Sequence, residues 1–454
     1  MFFKNKIEVL LICDQKWRDL PSVCLLKKEL EKQNVKSQIV NAREALSLLT
    51  IFQPDMVVLN NIYSKSQKKI AKILSSFNVL ITVLPTEGRG EPSLEKLNGS
   101  QFLKLENVDL YFTWNERTKR DLQKKYLNTK IVSIGCQRYD VFHKNFNHII
   151  TPKKYVAEKY KLDINKKTVL WTTKFGYAHI HKANKKTKNL FYKELENNQV
   201  TTCYELDGLN WKKIPENHYL TRELHAEIFF KLVKSMPELN FLIKPHPTED
   251  KNFYIDKIIS NNLNNCILCK EDYIFDILNV TDILIQQKCT TALEGWIFNI
   301  PVINLSISKF HEFDWKDFTK GSIEVSNFKQ LKINILKILN NNYKLNEKTQ
   351  KIRDFWIKEF TIKIDGKMTT KVCAEIAALL KRKEKNKLMT AKIFGLSPFR
   401  VIIMYLKHLL NLTSQESIIS YLISFNKINK NFVSKESTRK DVQIFLKRFK
   451  KIYE

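Results

Sequence analysis

The sequence predicts an α/β protein of two doubly wound, Rossmann-like parallel-sheet domains facing a cleft, followed by a basic helical tail. Three observations carry this. At 454 residues the chain exceeds what a single hydrophobic core usually serves. Short runs rich in Val, Ile and Leu alternate with amphipathic segments, which is how a parallel sheet covered on both faces reads in sequence. That alternation pauses in a polar, basic stretch from about residue 143 to 167 and then restarts.

In the first half, Ile7–Ile12, Ser37–Val40, Met56–Leu59, Val79–Leu84, Val108–Thr113 and Lys130–Ile134 read as strands. Val23–Lys32, Ala42–Phe52, Ser66–Phe77 and Glu116–Tyr126 have helical apolar spacing between them. In the second half the strands are Thr168–Thr172, Phe241–Ile243, Cys266–Leu268, Ile283–Ile285 and Val302–Leu305. The intervening helices are His218–Ser235, Asp250–Asn261, Tyr273–Leu278, Thr290–Phe298 and Asn327–Leu339. The expected domains are thus 1–145 and 146–345, with 346–382 as a helix packing back on the core and 383–454 as the tail.

Hydrophobic residues make up 43% and charged residues 27%, a globular balance rather than a disordered one. The net charge of +30 draws anions, but the lysines are dispersed, and no aromatic RNA-binding signature or zinc-finger spacing accompanies them. No nucleic-acid partner is therefore expected. No run reaches the roughly 18–20 apolar residues that span a bilayer; Val401–Leu412 comes nearest and is interrupted by Lys407 and His408. The N-terminus has no signal-peptide pattern, and the eight cysteines are scattered, which suits a reducing cytoplasm. Cys266 and Cys269 have metal-like spacing without a second pair, so no metal site is expected. From residue 381 onward there are 17 basic residues against 5 acidic, a net of +12, with apolar residues at helical spacing. That tail suits an anionic membrane surface at the inner face of the cytoplasmic membrane. The alternative is a helical cap solvated by its lysines.

Functional loops of a parallel sheet follow the carboxyl ends of its strands, and four polar clusters fall there. In Lys244-Pro245-His246-Pro247 two prolines stiffen the turn, so the imidazole projects beside a lysine, a pairing suited to a phosphate. In Gln286-Gln287-Lys288-Cys289-Thr290-Thr291-Ala292-Leu293-Glu294-Gly295, Thr290 or Thr291 is placed to cap the next helix in a capping box with Glu294, whose carboxylate can also reach a ribose. Free amides at that helix start would meet a phosphate. Thr172-Thr173-Lys174-Phe175-Gly176 resembles a phosphate-facing loop. In Pro85-Thr86-Glu87-Gly88-Arg89-Gly90-Glu91 a tight turn exposes Glu87, a candidate general base. Hydrolase triads, a Walker loop and a Rossmann glycine fingerprint are all missing from the sequence.

In order along residues 55–380, these clusters resemble the bacterial surface carbohydrate biosynthesis family, proteins of glycosyltransferase-B (GT-B) appearance. The residues concerned are Pro85-Thr86-Glu87-Gly88, Gly135-Cys136-Gln137-Arg138-Tyr139-Asp140, Thr172–Gly176, Lys244–Pro247, Cys289–Glu294 and Asp365-Gly366-Lys367. The pattern is also similar to bacterial sialyl-, polysialyl- and Kdo-transferases and to CDP-glycerol transferases. The resemblance implies inverting, metal-independent transfer from a CMP-, CDP- or UDP-linked sugar to a lipid-linked or oligosaccharide acceptor of a capsule or lipopolysaccharide. No further cofactor is implied. Glu87 would be the base. His246, with Thr173, Lys174, Lys244, Pro247, Thr290, Thr291 and Glu294, would hold the nucleotide, and Gly88, Arg89, Arg138 and Asp140 would contact substrate. A CDP-polyol phosphotransferase and a non-catalytic scaffold of a glycan-assembly complex are the alternatives.

Overall fold

The computed structural model describes residues 7–42, 44–62, 64–85, 105–197, 210–269, 272–307, 319–381, 386–410 and 436–450. The chain divides into two compact units: Met1–Ile149 with Glu359–Glu454, and Ile150–Lys358.

The first unit holds the strands β1 (Val9–Cys13), β2 (Ser37–Asn41), β3 (Met56–Leu59), β4 (Leu80–Val83), β5 (Leu110–Thr113) and β6 (Lys130–Ser133), in the order β2-β1-β3-β4-β5-β6. Every pairing is parallel. The interior strands are buried on both faces, which is why they read as unbroken apolar runs. The first helix begins earlier than its sequence pattern suggested, at Lys16 rather than Val23, and carries Pro21 inside it.

The second unit holds β7 (Thr168–Thr172), β8 (Asn240–Lys244), β9 (Cys266–Leu268), β10 (Ile283–Gln286), β11 (Val302–Leu305) and β12 (Ile323–Val325). Their order is β12-β11-β10-β7-β8-β9, again all parallel. This is the Rossmann order, with the direction of winding reversing between β7 and β10. The sixth strand was not apparent in the sequence. It is three residues long, and two of its side chains are not buried, so it lacks the apolar run that marks the others. One face packs Trp171, Phe229, Phe241 and Tyr254 into an aromatic core, with Trp171 and Phe229 centroids 4.5 Å apart.

After Lys358 the chain rejoins the first unit. The helix Glu347–Thr361 ends where Cys136 N–H donates to Phe360 O at 2.9 Å. Gly135, at φ +80°, is required here: a Cβ would stand 2.3 Å from Thr361 O. The next helix, Met368–Leu380, starts on a side chain from the unit's first chain segment. Asp140 accepts from Met368 N–H (3.1 Å), Thr369 N–H (2.6 Å) and the Thr369 hydroxyl (2.7 Å). Asp140, expected to contact substrate, is thus fully buried and caps this helix.

The tail is partly built into this unit. In the helix Arg439–Lys450, Phe445 and Phe449 are buried, and Phe449 meets Phe146 edge-on at 6.2 Å. Lys16 pairs with Asp441 at 2.9 Å, and Arg448 donates to Ile149 O at 2.7 Å. This helix packs one face onto the unit through Phe445 and Phe449, which the excess of lysine masks in the sequence. No helix among the described residues is long and apolar enough to cross a membrane.

Candidate functional site

The second unit brings three of the four loops to the carboxyl ends of adjacent strands. The order β10-β7-β8 places the loops after Gln286, Thr172 and Lys244 side by side, at the point where the winding reverses.

The His246 turn is held from below by a residue the sequence did not single out. Glu249 is buried, and its Oε1 accepts from the Thr173 hydroxyl (2.8 Å), Phe175 N–H (2.7 Å) and His246 N–H (3.2 Å). Its Oε2 accepts from the Tyr254 hydroxyl. Burial pushes the Glu249 carboxyl above the usual carboxylate range, and the donors from Tyr254, Thr173, Phe175 and His246 oppose that shift. One carboxylate thus fixes the loop after β7 to the loop after β8. The only sequence signal is an acid three positions beyond a His-Pro turn.

His246 itself is exposed. Its Nδ1 lies 2.7 Å from the Thr248 hydroxyl, and Thr248 N–H donates to the same nitrogen at 3.3 Å. An amide can only donate, so Nδ1 is the acceptor and the neutral ring carries its proton on Nε2, a donor suited to a phosphate oxygen. Gly176 closes against this pair: a Cβ there would stand 2.3 Å from Thr248 Oγ1 and 3.4 Å from His246 Nδ1.

Lys174 reaches in the other direction and donates to Lys288 O at 3.1 Å, tying the β7 loop to the β10 loop. Lys288 adopts the left-handed region at φ 42°. The β10 loop is held by strand residues: Gln286 Oε1 accepts from Cys289 N–H (2.7 Å), and Asn304 Oδ1 accepts from Lys288 N–H (2.9 Å). The expected capping box is consequently absent. Thr290 is itself helical in conformation and makes no side-chain cap, and Thr291 Oγ1 lies against Cys289 Sγ at 3.0 Å. Both threonines are half-buried, and Glu294 is buried. A true capping box forms instead at Ser64 and Gln67 in the first unit.

Lys244 donates to Asp272 O at 2.7 Å. Burial pushes its ammonium below the usual lysine range, with Cys269 and Glu294 among the nearby groups that counter this. Lys244 and Glu294, expected to share the nucleotide, therefore lie within electrostatic reach of each other. Pro247 completes the turn.

Of the remaining candidates, Arg138 donates to the Tyr139 hydroxyl at 2.8 Å in the first unit, beside the Asp140 cap. Glu87, Gly88 and Arg89 lie outside the described residues. Among the described residues no group of three or more His, Cys, Asp or Glu could hold a metal ion.

No protein-family model matches the sequence, and no curated protein does. The fold, by contrast, has solved counterparts. The UDP-GlcNAc 2-epimerase from Neisseria meningitidis, solved with UDP-GlcNAc, aligns at TM-score 0.51 and 13% identity over 83% of this chain and 100% of its own. The S. aureus MnaA–UDP co-structure aligns at TM-score 0.51 and 13% identity, over 84% and 100%. At this identity the likeness is one of architecture: two parallel six-stranded sheets with their helices, the GT-B arrangement.

Proposed function

We propose that the chain is an enzyme that transfers a sugar from a nucleotide-activated donor to a bacterial surface glycan, with inversion and without a metal, as a peripheral protein at the inner face of the cytoplasmic membrane. The observation that supports this best is the cross-tied set of loops at the carboxyl ends of β10, β7 and β8, with His246 exposed at its edge. A Rossmann-ordered sheet receives nucleotides at this winding reversal.

In this reading the donor's phosphates meet Nε2–H of His246, the ammonium groups of Lys174 and Lys244, and the hydroxyls of Thr290 and Thr291. Such groups neutralise the leaving phosphate electrostatically, a contribution of about 3 kcal/mol for a single well-placed donor. Glu294 faces the ribose. Glu87 is assigned from sequence alone as the base that takes the acceptor's proton as its oxygen attacks the anomeric carbon and the nucleotide leaves. Two proteins of this architecture are described with UDP-GlcNAc and with UDP, so UDP is the first nucleotide to test, ahead of CDP, CMP and GDP.

The deciding experiment is a thermal-shift screen of those nucleotides followed by product analysis with EDTA present. A saturating ligand should raise stability by about 3 kcal/mol. Stabilisation by none of them would remove the donor site. A phosphodiester product would replace sugar transfer by polyol-phosphate transfer, and loss of turnover in EDTA would remove the metal-independent mechanism.

A further inference from the structure

Over residues 398–406, whose side chains are described, the helix Pro398–Leu410 is docked on one side only. Its inner side reaches the core of the first unit: Ile403 is buried, and Tyr405 packs edge-on against Phe52 with centroids 6.5 Å apart. The segment leading into it is clamped to backbone. Asn386 donates to Pro54 O (2.8 Å), Lys387 N–H to Phe77 O (3.1 Å), and Gln53 exchanges two bonds with the Met389 backbone (2.8 and 3.0 Å). This segment is thus a fixed part of the unit's surface.

Its outer side is apolar and open. Phe399, Ile402 and Leu406 are 68%, 56% and 45% exposed, and their spacing puts them on one stripe of the helix. Three large apolar side chains in a row on an anchored helix mark an interaction surface, where scattered single ones would not.

Charge identifies what that surface meets. From Asn386 to Leu410 the chain carries four basic residues and no acidic one. Of these, Lys387, Lys392 and Arg400 are exposed. The neighbouring helix Lys65–Ser76, whose Ile70 packs on the same core as Phe394 and Tyr405, also has four lysines and no acid, with Lys65, Lys69 and Lys72 exposed. An apolar stripe flanked by two acid-free, lysine-bearing segments, with the partly buried Asp55 carboxylate taken up by Asn386 (3.3 Å), matches an anionic bilayer, where rings and aliphatic chains sink to the acyl boundary and ammonium and guanidinium groups stay with the phosphates.

We infer that the Phe399–Ile402–Leu406 stripe, flanked by Lys392 and Arg400, is the surface by which this protein docks on an anionic membrane. It specifies the membrane contact of the proposed function, but vesicle binding needs no donor or turnover, so failure of the transfer reading leaves this test intact and the converse also holds.

The test is co-sedimentation of the full chain with phosphatidylglycerol and with phosphatidylcholine vesicles. Binding is expected to the first, weaker by about tenfold or more in phosphatidylcholine or after the pair Lys392→Glu and Arg400→Glu. The triple Phe399→Ser, Ile402→Ser, Leu406→Ser should abolish it with an unchanged melting temperature, because these side chains are exposed. In a second variant, Phe399→Trp, emission should shift to the blue when phosphatidylglycerol vesicles are added. Absence of vesicle binding, or binding that survives both sets of substitutions, overturns the inference. So does Phe399→Trp emission that is already blue without lipid and does not move, since that would show the stripe covered by protein, either residues 411–435 or a second copy.

Discussion

The Glu249 carboxylate accepts the Thr173 hydroxyl at 2.8 Å, joining a residue just past the end of β7 to one just past the turn after β8. The same oxygen takes the amide of His246, so the pose of the candidate histidine depends on a buried acid that no ligand would touch. Glu249→Ala would leave two amides and two hydroxyls without their acceptor. The expected cost is about 3–4 kcal/mol of stability, and Tyr254→Phe, which removes one donor, about 1–2 kcal/mol. Urea unfolding of both variants measures this. Equal, small effects would mean that the loops are held elsewhere.

Gly176 tolerates no side chain beside Thr248. In Gly176→Ala the new methyl must push the Thr248 hydroxyl away and disturb its contact with His246 Nδ1. Nucleotide-induced stabilisation should fall by about 1–2 kcal/mol, the scale of one charge-assisted hydrogen bond, while the unliganded protein still folds. Unaltered nucleotide shifts would separate His246 from the ligand.

Asp140 supplies a pH dependence. Burial raises its pKa to about 6 against the helix-start donors that lower it. The unfolded carboxyl titrates near 3.9. A folded pKa above the unfolded one means that stability is fullest below the unfolded value and is lost as pH rises through the folded one. From pH 4 to 7 the wild type should therefore lose up to about 3 kcal/mol relative to Asp140→Asn, which does not titrate. Asp140→Ala should be destabilised at both pH values, because the starting amides of the helix Met368–Leu380 lose their cap. Melting curves across this window decide it, and a pH-independent difference would discard the assignment.

Glu87 and His246 carry separable predictions. Glu87→Gln should cut transfer by about a hundredfold or more, the usual contribution of a general base, while leaving the nucleotide thermal shift intact. His246→Ala should weaken both. A Glu87→Gln protein with full turnover would remove that residue from the chemistry.

Much of the architecture was legible because parallel strands buried on both faces leave an unmistakable trace. Val9–Cys13 and Ile283–Gln286 could hardly be anything else. The missed strand Ile323–Val325 is half-wet and short, so no periodicity announced it. The loops were legible for a related reason, as polar clusters stand out immediately after apolar runs. What each residue does in them was less so. Thr290 looked like a cap, but Gln286 and Asn304 had already satisfied the amides of that loop, and side-chain reach across strands cannot be seen in one dimension. Asp140 was visible as part of a motif, whereas its partner lies 228 residues away. Glu249 carries no such signal, because its role comes from Thr173, 76 residues away and its neighbour only once the sheet has formed.

The return of the chain at Glu359 has a consequence for synthesis. Residues 150–358 emerge from the ribosome as one uninterrupted stretch and can complete their sheet as soon as they are out. The unit that begins first must wait: until residue 369 appears, Asp140 has no helix to cap, and until residue 449 appears, Phe146 lacks its aromatic partner. The nascent chain thus finishes its second body before its first, whose opening helix Lys16–Lys32 waits longest for the helices that pack on it.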